Sequence, residues 1–300
     1  MTNDVDVLHH LGLIMRDMAA TVAVYERLGF TFTPVSMPRI PLTPSGTPEQ
    51  LGVGNRCAIF KNNYLEMLGV IDPARWSSIT KAQRGPYDID PPMARYEGLH
   101  VLHLASNDLE ATRTRLQRQG LEPSPIHPFQ RMVDTPDGPQ MMQARTLSMP
   151  RGSDPEALLQ IAQHMTPDLV LQPRSMNHPN GALSLTEVIV CVEDVKAVAD
   201  KYAAYSGHPV CDGVDALVID MGQSRVLVTD AEGLGAILPG EVPPAMPFLA
   251  GFTVSADLKR TADYLLGEGI AFELVGPRLM IPARDACGTA VLFEEAGEVR

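Results

Sequence analysis

The sequence predicts an α+β fold of tandem βαβββ units, four copies that pair into two lobes with cup-shaped mixed β-sheets. Three observations predict it. A strand, an Asp, a helix and a Gly recur four times along the 300 residues. Apolar positions within the four helices lie on one stripe, and the last strands of the first two copies align with each other.

The Asp residues are Asp17, Asp108, Asp194 and Asp257. Each follows an apolar, strand-like run and suits a helix N-cap, where its carboxylate accepts hydrogen bonds from free backbone N–H groups. The next residue is apolar in every copy: Met18, Leu109, Val195 and Leu258. Five positions after the Asp stand Val22, Arg113, Ala199 and Ala262, and eight positions after it Tyr25, Leu116, Tyr202 and Leu265. This spacing lays them along one helical face, with Arg113 the exception. Twelve or thirteen residues after the Asp comes Gly29, Gly120, Gly207 or Gly269, suited to the left-handed turn that ends a helix. Strand-like runs follow, FTFTPV after Gly29 and AFELV after Gly269.

The run from Tyr64 to Leu68 is followed by Pro73, seven residues after Glu66, and the run from Leu158 to Ala162 by Pro167, seven residues after Gln160. Glu66 and Gln160 therefore hold equivalent places on equivalent final strands. Copies three and four finish in SRVLVTD and TAVLFEE. Pairing the units places domain one at residues 5–165 and domain two at residues 182–297, joined by TPDLVLQPRSMNHPNGA, whose Pro and Asn content suits a linker. Residues 35–54 and 72–97 read as long loops over the first cup, where lids are often built.

A hydrophobic share of 45% and a charged share of 20% are those of an ordinary globular chain. No apolar run approaches the roughly 18 residues of a bilayer span. The start, MTNDVDVLHH, lacks a basic region followed by an apolar stretch, so a cytoplasmic protein without membrane contact is expected. Cys57, Cys191, Cys211 and Cys287 have no metal-type spacing and read as reduced thiols. The net charge of −12 with scattered basic residues offers no footprint for nucleic acid. The sequence has no Gly-rich phosphate loop, so no nucleotide cofactor is expected, and no Gly-x-Ser-x-Gly elbow or His-Glu-x-x-His pair. Met132, Met141, Met142 and Met149 fall in one stretch, as adaptable pocket lining or as core filler. Arg131, Asp134 and Asp137 nearby either contact a polar substrate or form a solvated turn.

The segment HHLGLIMRDMAATVAVYERLGF resembles the opening strand and helix of the vicinal oxygen chelate superfamily. GNRCAIF and NYLEMLGV are similar to strands three and four of its glyoxalase-like branch, and RMVDTPDG followed by an apolar strand fits that branch too. The resemblance is specific over residues 8–72, extends to about residue 165, and rests on the repeat pattern beyond. It implies two glyoxalase-like lobes and a cup that commonly holds one divalent metal. Members include glyoxalase I, extradiol dioxygenases, epimerases, fosfomycin-resistance enzymes and metal-free drug-binding proteins, so the fold alone selects no reaction.

In the family pattern one ligand sits on the first strand of each unit, seven residues before the helix-start Asp, and another on the last strand. In unit one this implies His10 and Glu66. Alternation supports the placement. Leu11, Leu13 and Met15 share the apolar face, so His10, Gly12 and Ile14 face the cup while His9 points the other way. His10 and Glu66 can hold Zn²⁺, Fe²⁺, Mn²⁺ or Ni²⁺, or simply hydrogen-bond each other. Unit two departs from the pattern, because Val101 occupies its first-strand position. His103, two residues on, shares the cup side, and His100 should face the helix. Gln160 holds the final-strand position, and His164 lies on the same strand face. The second-half equivalents are Glu187 and Ala250, with Glu294 as the final-strand acid. Their strands carry no His, so this half is expected to lack a transition-metal site and to be structural or accessory. Glu187 and Glu294 are free there to pair with Arg225 or Arg278.

Two readings stay open. In one, His10, Glu66 and His103 hold a divalent metal, and Gln160 and His164, with Glu66, serve lyase, isomerase or dioxygenase-like chemistry on a small oxygenated molecule. In the other, a metal-free cup binds or sequesters an aromatic or apolar small molecule, which Val101 and the Met-rich strand favour. The partner is a small molecule in both, and the sequence leaves the oligomeric state open.

Overall fold

A computed structural model describes residues 4–37, 39–43 and 46–297, except the side chain of Pro86. Residues 38, 44 and 45, within the first expected loop, lie outside the described residues. Unit one contains β1 (Val5–Met15), α1 (Met18–Arg27), a small hairpin of β2 (Arg39–Pro41) and β3 (Pro48–Gln50), β4 (Val53–Ile59) and β5 (Tyr64–Val70). Three short helices follow: α2 (Pro73–Ser78), α3 (Lys81–Arg84) and α4 (Asp90–Arg95). Unit two contains β6 (Gly98–Ser106), α5 (Leu109–Arg118), β7 (His127–Val133), β8 (Gln140–Leu147) and β9 (Leu158–His164). Unit three contains β10 (Ala182–Cys191), α6 (Val195–Ser206), β11 (Val210–Asp212), β12 (Leu217–Asp220), β13 (Arg225–Thr229) and α7 (Ala231–Ile237). Unit four contains β14 (Phe248–Ala256), α8 (Leu258–Gly267), β15 (Glu273–Val275), β16 (Arg278–Ile281) and β17 (Ala290–Glu295).

The units pair into two curled mixed sheets, as the repeat predicts. Strand order is β4-β5-β1-β6-β9-β8-β7 in the first and β11-β12-β13-β10-β14-β17-β16-β15 in the second. At each centre the first strands of two units run antiparallel, β1 with β6 and β10 with β14. Each first strand also runs parallel to the last strand of its own unit, a pairing that requires the helical crossover between them.

The four caps form as predicted. Asp17, Asp108, Asp194 and Asp257 accept from the backbone N–H groups of Ala20, Ala111, Ala197 and Arg260 at 2.9–3.0 Å. Gly29 takes a φ of +89°, with the space for a Cβ already filled by Asn180. Arg113 can break the apolar stripe of α5 because its guanidinium reaches out to donate to the Ser124 carbonyl at 3.1 Å. FTFTPV is not a regular strand. Thr33 and Ser36 bond to Cys57 and Asn55 of β4, but Pro34 between them has no N–H to continue the ladder.

One apolar core runs through both halves, from Val5 and Tyr25 to Tyr202 and Phe293, with the Phe30 and Phe293 rings stacked at 6.0 Å. The linker is locked to unit one by the buried His178. Its Nδ1 accepts from the Thr31 N–H at 3.0 Å and its Nε2 donates to the Ile59 carbonyl at 2.9 Å. Nδ1 can accept only while the ring is neutral, and burial holds its pKa below the ordinary value.

His178→Ala should therefore lower unfolding free energy by about 2 kcal/mol at pH 7.5. The unfolded ring protonates near pH ~6.5 and the folded one lower, so the wild-type clamp is fully present above that pH and weakens as pH falls. Urea unfolding at pH 7.5 and 5.5 should show the gap between variant and wild type shrinking. A gap independent of pH would rule out the neutral clamp.

Candidate metal centre

The site is built around an extra residue in β1. In the β1–β6 ladder Leu8 faces Leu104 and His10 faces His103, leaving His9 without a partner. Such a β-bulge re-aims side chains and sharpens the twist of its strand. The expectation that His9 points away is therefore overturned. Its Nδ1 lies 2.7 Å from His10 Nδ1, and its ring lies 4.2 Å from that of His164. His10 in turn stacks on Tyr64 at 4.5 Å and lies 4.1 Å from the His103 ring. His9, His10 and His103 each offer a nitrogen within 4.8 Å of the others.

Glu66 enters from β5, in register with Gly12. Its Oε2 is 3.8 Å from His10 Nε2, and its Oε1 accepts a short hydrogen bond from Asn55 Nδ2. A Cβ on Gly12 would lie 3.3 Å from that Oε2 and 2.9 Å from Val101 Cβ, so glycine keeps the carboxylate's space open. Gln160 is in register with His103, and His164 follows on the same face of β9. His100 lies on the other face of β6, where the Tyr96 ring stacks on it and its Nε2–H donates to the Tyr96 backbone carbonyl at 2.8 Å.

The histidines are uncharged at neutral pH. Burial depresses the pKa of His103 to about 3, and burial with the nearby Arg131 depresses that of His164 to about 4. Burial, reinforced by the neighbouring imidazoles, holds His9 and His10 well below the ordinary value. Burial raises the pKa of Glu66, opposed by Asn55 and by Arg131. Neutral imidazole is the form that ligates metal. Two buried nitrogens here, His9 Nε2 and His164 Nδ1, have no hydrogen-bond partner among the described residues. Clustered neutral imidazoles, one with an orphaned nitrogen, and the Glu66 carboxylate beside His10 fit a borderline divalent cation in donor type and in protonation state.

The segments expected as long loops pack beside the cup, but they are not loops throughout: residues 35–54 hold the β2–β3 hairpin and residues 72–97 hold α2, α3 and α4. Trp76, Ile79 and Ile89, from α2–α4 and their connections, pack with Ile14, Leu68 and Val101. At the other end Leu169, Val170 and Leu171 of the linker pack with Tyr64, Met142 and Ala144. Of the clustered methionines, Met142 lies in this layer, Met149 in the core, and Met132 and Met141 are exposed. Two open surface clefts lie elsewhere, one lined by Glu241, Phe248 and Arg284, the other by Asp137, Gln140 and Arg174.

The second sheet repeats the bulge, with Leu185 facing Val254 and Glu187 facing Thr253. Its occupants are paired ions. The buried Glu187 accepts from Arg225 at 2.5 Å, from Arg278 at 3.0 Å and from Thr253 at 2.8 Å. Glu294 accepts from Arg225 at 2.7 Å and from Thr186 at 2.5 Å.

Sequence reasoning missed His9, Tyr64 and Asn55. The doubled His9-His10 was a visible signal, but the bulge that unites the two rings was not.

A fold of paired βαβββ units around a cup with a His and carboxylate cluster defines a class, and the comparisons agree. A family model for a glyoxalase-like domain, Glyoxalase_3, matches residues 8–206. The chain belongs to this family, within the vicinal oxygen chelate superfamily that its opening segment resembles. No curated protein sequence matches it. Among solved structures, a hypothetical protein from Staphylococcus aureus superposes with a TM-score of 0.63 at 13% identity, over 96% of this chain and 99% of the other. A Mn(II)-bound glyoxalase from Novosphingobium aromaticivorans gives 0.51 at 11% identity, over 97% and 82%. The 2,3-dioxygenase LapB from Pseudomonas sp. KL28 gives 0.53 at 10% identity, over 99% and 94%. At such identities the likeness is one of fold. Among the described residues no helix is long and apolar enough to cross a membrane.

Removing one partner from a buried ion network strands the others, at a cost of about 3 kcal/mol or more. Glu187→Ala should therefore lower the thermal midpoint of the second lobe's sheet by several degrees while leaving the histidine cluster's ligand chemistry unchanged. Calorimetry with parallel metal analysis checks both halves of the expectation, and an unshifted midpoint would show that the network contributes little.

Proposed function

We propose that the first cup holds one divalent transition metal and acts on a small oxygenated molecule. His10, His103 and Glu66 hold the ion, with His9 as the added imidazole that the bulge supplies. The observation that carries this reading is the convergence of neutral imidazoles within 4.8 Å, one with a buried orphan nitrogen. The mixed nitrogen and oxygen donors suit Zn²⁺, Fe²⁺, Mn²⁺ or Ni²⁺ and do not choose among them. When bound, the metal supplies Lewis-acid stabilisation of negative charge on a substrate oxygen.

The chain's own groups do the rest. Tyr64 holds the His10 ring by stacking, and Asn55 fixes the rotamer of Glu66. Gln160 offers an amide beside His103 to orient a substrate oxygen. His164, neutral with Nδ1 unpartnered, accepts or returns a proton in lyase, isomerase or dioxygenase-like chemistry. The alternative, a metal-free cup that sequesters an apolar or aromatic compound, draws support from Val101 at a family ligand position and from the apolar cap packed on it.

Protein purified without an affinity tag and supplied with each metal should retain about one equivalent by elemental analysis. His10→Ala and His103→Ala should each weaken retention by at least ~10-fold, and Glu66→Gln by ~10- to 100-fold. Wild-type protein that takes up none of the four metals would leave the metal-free reading standing.

A further inference from the structure

The cup is closed by a cation that the reading above leaves unused. In the first sheet β4 and β7 are the two edges, yet Arg131 of β7 donates from Nη1 to Ser36 Oγ at 2.9 Å. Ser36 in turn bridges Asn55 of β4, the residue that bonds Glu66. The sheet curls until its edges meet, and the Arg131–Ser36 hydrogen bond spans the gap. Arg131 pairs in register with Met142, whose side chain lies in the layer over Tyr64, so the guanidinium stands on the cup side of the hairpin. Among the described residues no carboxylate lies within ion-pair distance of it. Glu66, whose charge it feels, is already engaged by Asn55 and His10.

We propose that Arg131 is the specificity residue of this cup and that the ligand is a small carboxylic acid with a neighbouring oxygen, of the 2-oxo or 2-hydroxy acid type. The inference rests on the cup being the ligand site and deepens the metal reading. Charge selects the class. The Arg131 guanidinium brings a positive charge to the cup, and among the described residues it meets only the neutral Ser36 hydroxyl. A carboxylate beside a chelating oxygen answers that guanidinium with an opposite charge, where a neutral hydroxyketone does not. A guanidinium whose only neutral partner is a serine hydroxyl exchanges that partner for a carboxylate fork with a gain in charge-assisted hydrogen bonding. Phe129, on the same strand face and partly exposed, offers an apolar wall for the rest of such an acid.

The test uses pyruvate as the anionic probe and 3-hydroxybutan-2-one as its neutral counterpart, titrated calorimetrically into full-length protein, metal-loaded and metal-free, with metal content measured for every sample. Arg131→Gln should weaken pyruvate at least ~10-fold and leave 3-hydroxybutan-2-one unchanged. Arg131→Lys should fall between, because it keeps charge without the fork. Ser36→Ala removes the bridging bond alone and should leave pyruvate affinity equal or higher, which separates recognition from mere closure. Failure of wild-type protein to load metal would sink the metal reading only, and Arg131-dependent pyruvate binding in the metal-free titration would then still uphold this inference. Pyruvate binding that is absent in wild type, or equal in wild type and Arg131→Gln, overturns it.

Discussion

An unpaired residue at the centre of the first sheet gathers the histidine cluster of this protein. Because Leu8 and His10 pair with consecutive residues of β6, the backbone at His9 must bulge, and two successive side chains reach the same cluster. The bulge belongs to the fold and not to the histidines. Extra residues fall between Val5 and Val7 and between Leu8 and His10 in β1, and at the matching places between Ala182 and Ser184 and between Leu185 and Glu187 in β10, while a third in each sheet lies on the partner strand, at His100 of β6 and Ala250 of β14. In the second sheet the same device presents Thr186 and Glu187, which are absorbed into an ion network. One backbone geometry thus supports two outcomes, selected by which side chains occupy it.

The two outcomes differ in how they meet the cost of burial. Glu187 is almost fully buried, but two arginines and a threonine satisfy its oxygens, leaving little demand for a ligand. The first cup buries imidazoles that stay neutral and leaves His9 Nε2 and His164 Nδ1 without partners. Native proteins tolerate such atoms rarely, and a bound ion or an ordered water is among the partners that satisfy them. The asymmetry between the lobes is therefore one of satisfaction and not of shape.

Much of this was legible in the sequence because it is local. An Asp cap, an apolar stripe and a terminal glycine each act within one helix, so their fourfold recurrence disclosed the units. The equivalence of Glu66 and Gln160 followed from their spacing to Pro73 and Pro167. What stayed hidden depends on partners far along the chain. The bulge at His9 is defined only by its pairing with His103 and Leu104, and alternation along β1 alone gave the wrong face. Arg131 could be flagged but not placed, since its position depends on how far seven strands curl. Pro34 was a readable warning against a strand at FTFTPV. The capping box of Thr80 and Gln83 likewise marked helix α3 inside a stretch taken as loop.

The second lobe also bears on the cup through β9, the strand that carries Gln160 and His164. Just before that strand, Glu156 is bonded to Lys201 and to the Tyr202 hydroxyl at 3.0 Å, and Asp154 to the Tyr205 hydroxyl at 3.1 Å. Lys201, Tyr202 and Tyr205 all lie on α6 of the third unit. Arg115 of α5 adds hydrogen bonds to the carbonyls of Ala204 and Tyr205 near the end of the same helix. The family match runs through this helix to residue 206 and stops there. These contacts bury charge at the boundary between the lobes, where it is costly to disturb, and they fix the start of β9 against a rigid helix. On the metal reading, the second lobe bears on the site by holding the strand that brings Gln160 and His164 to the histidines of β1 and β6.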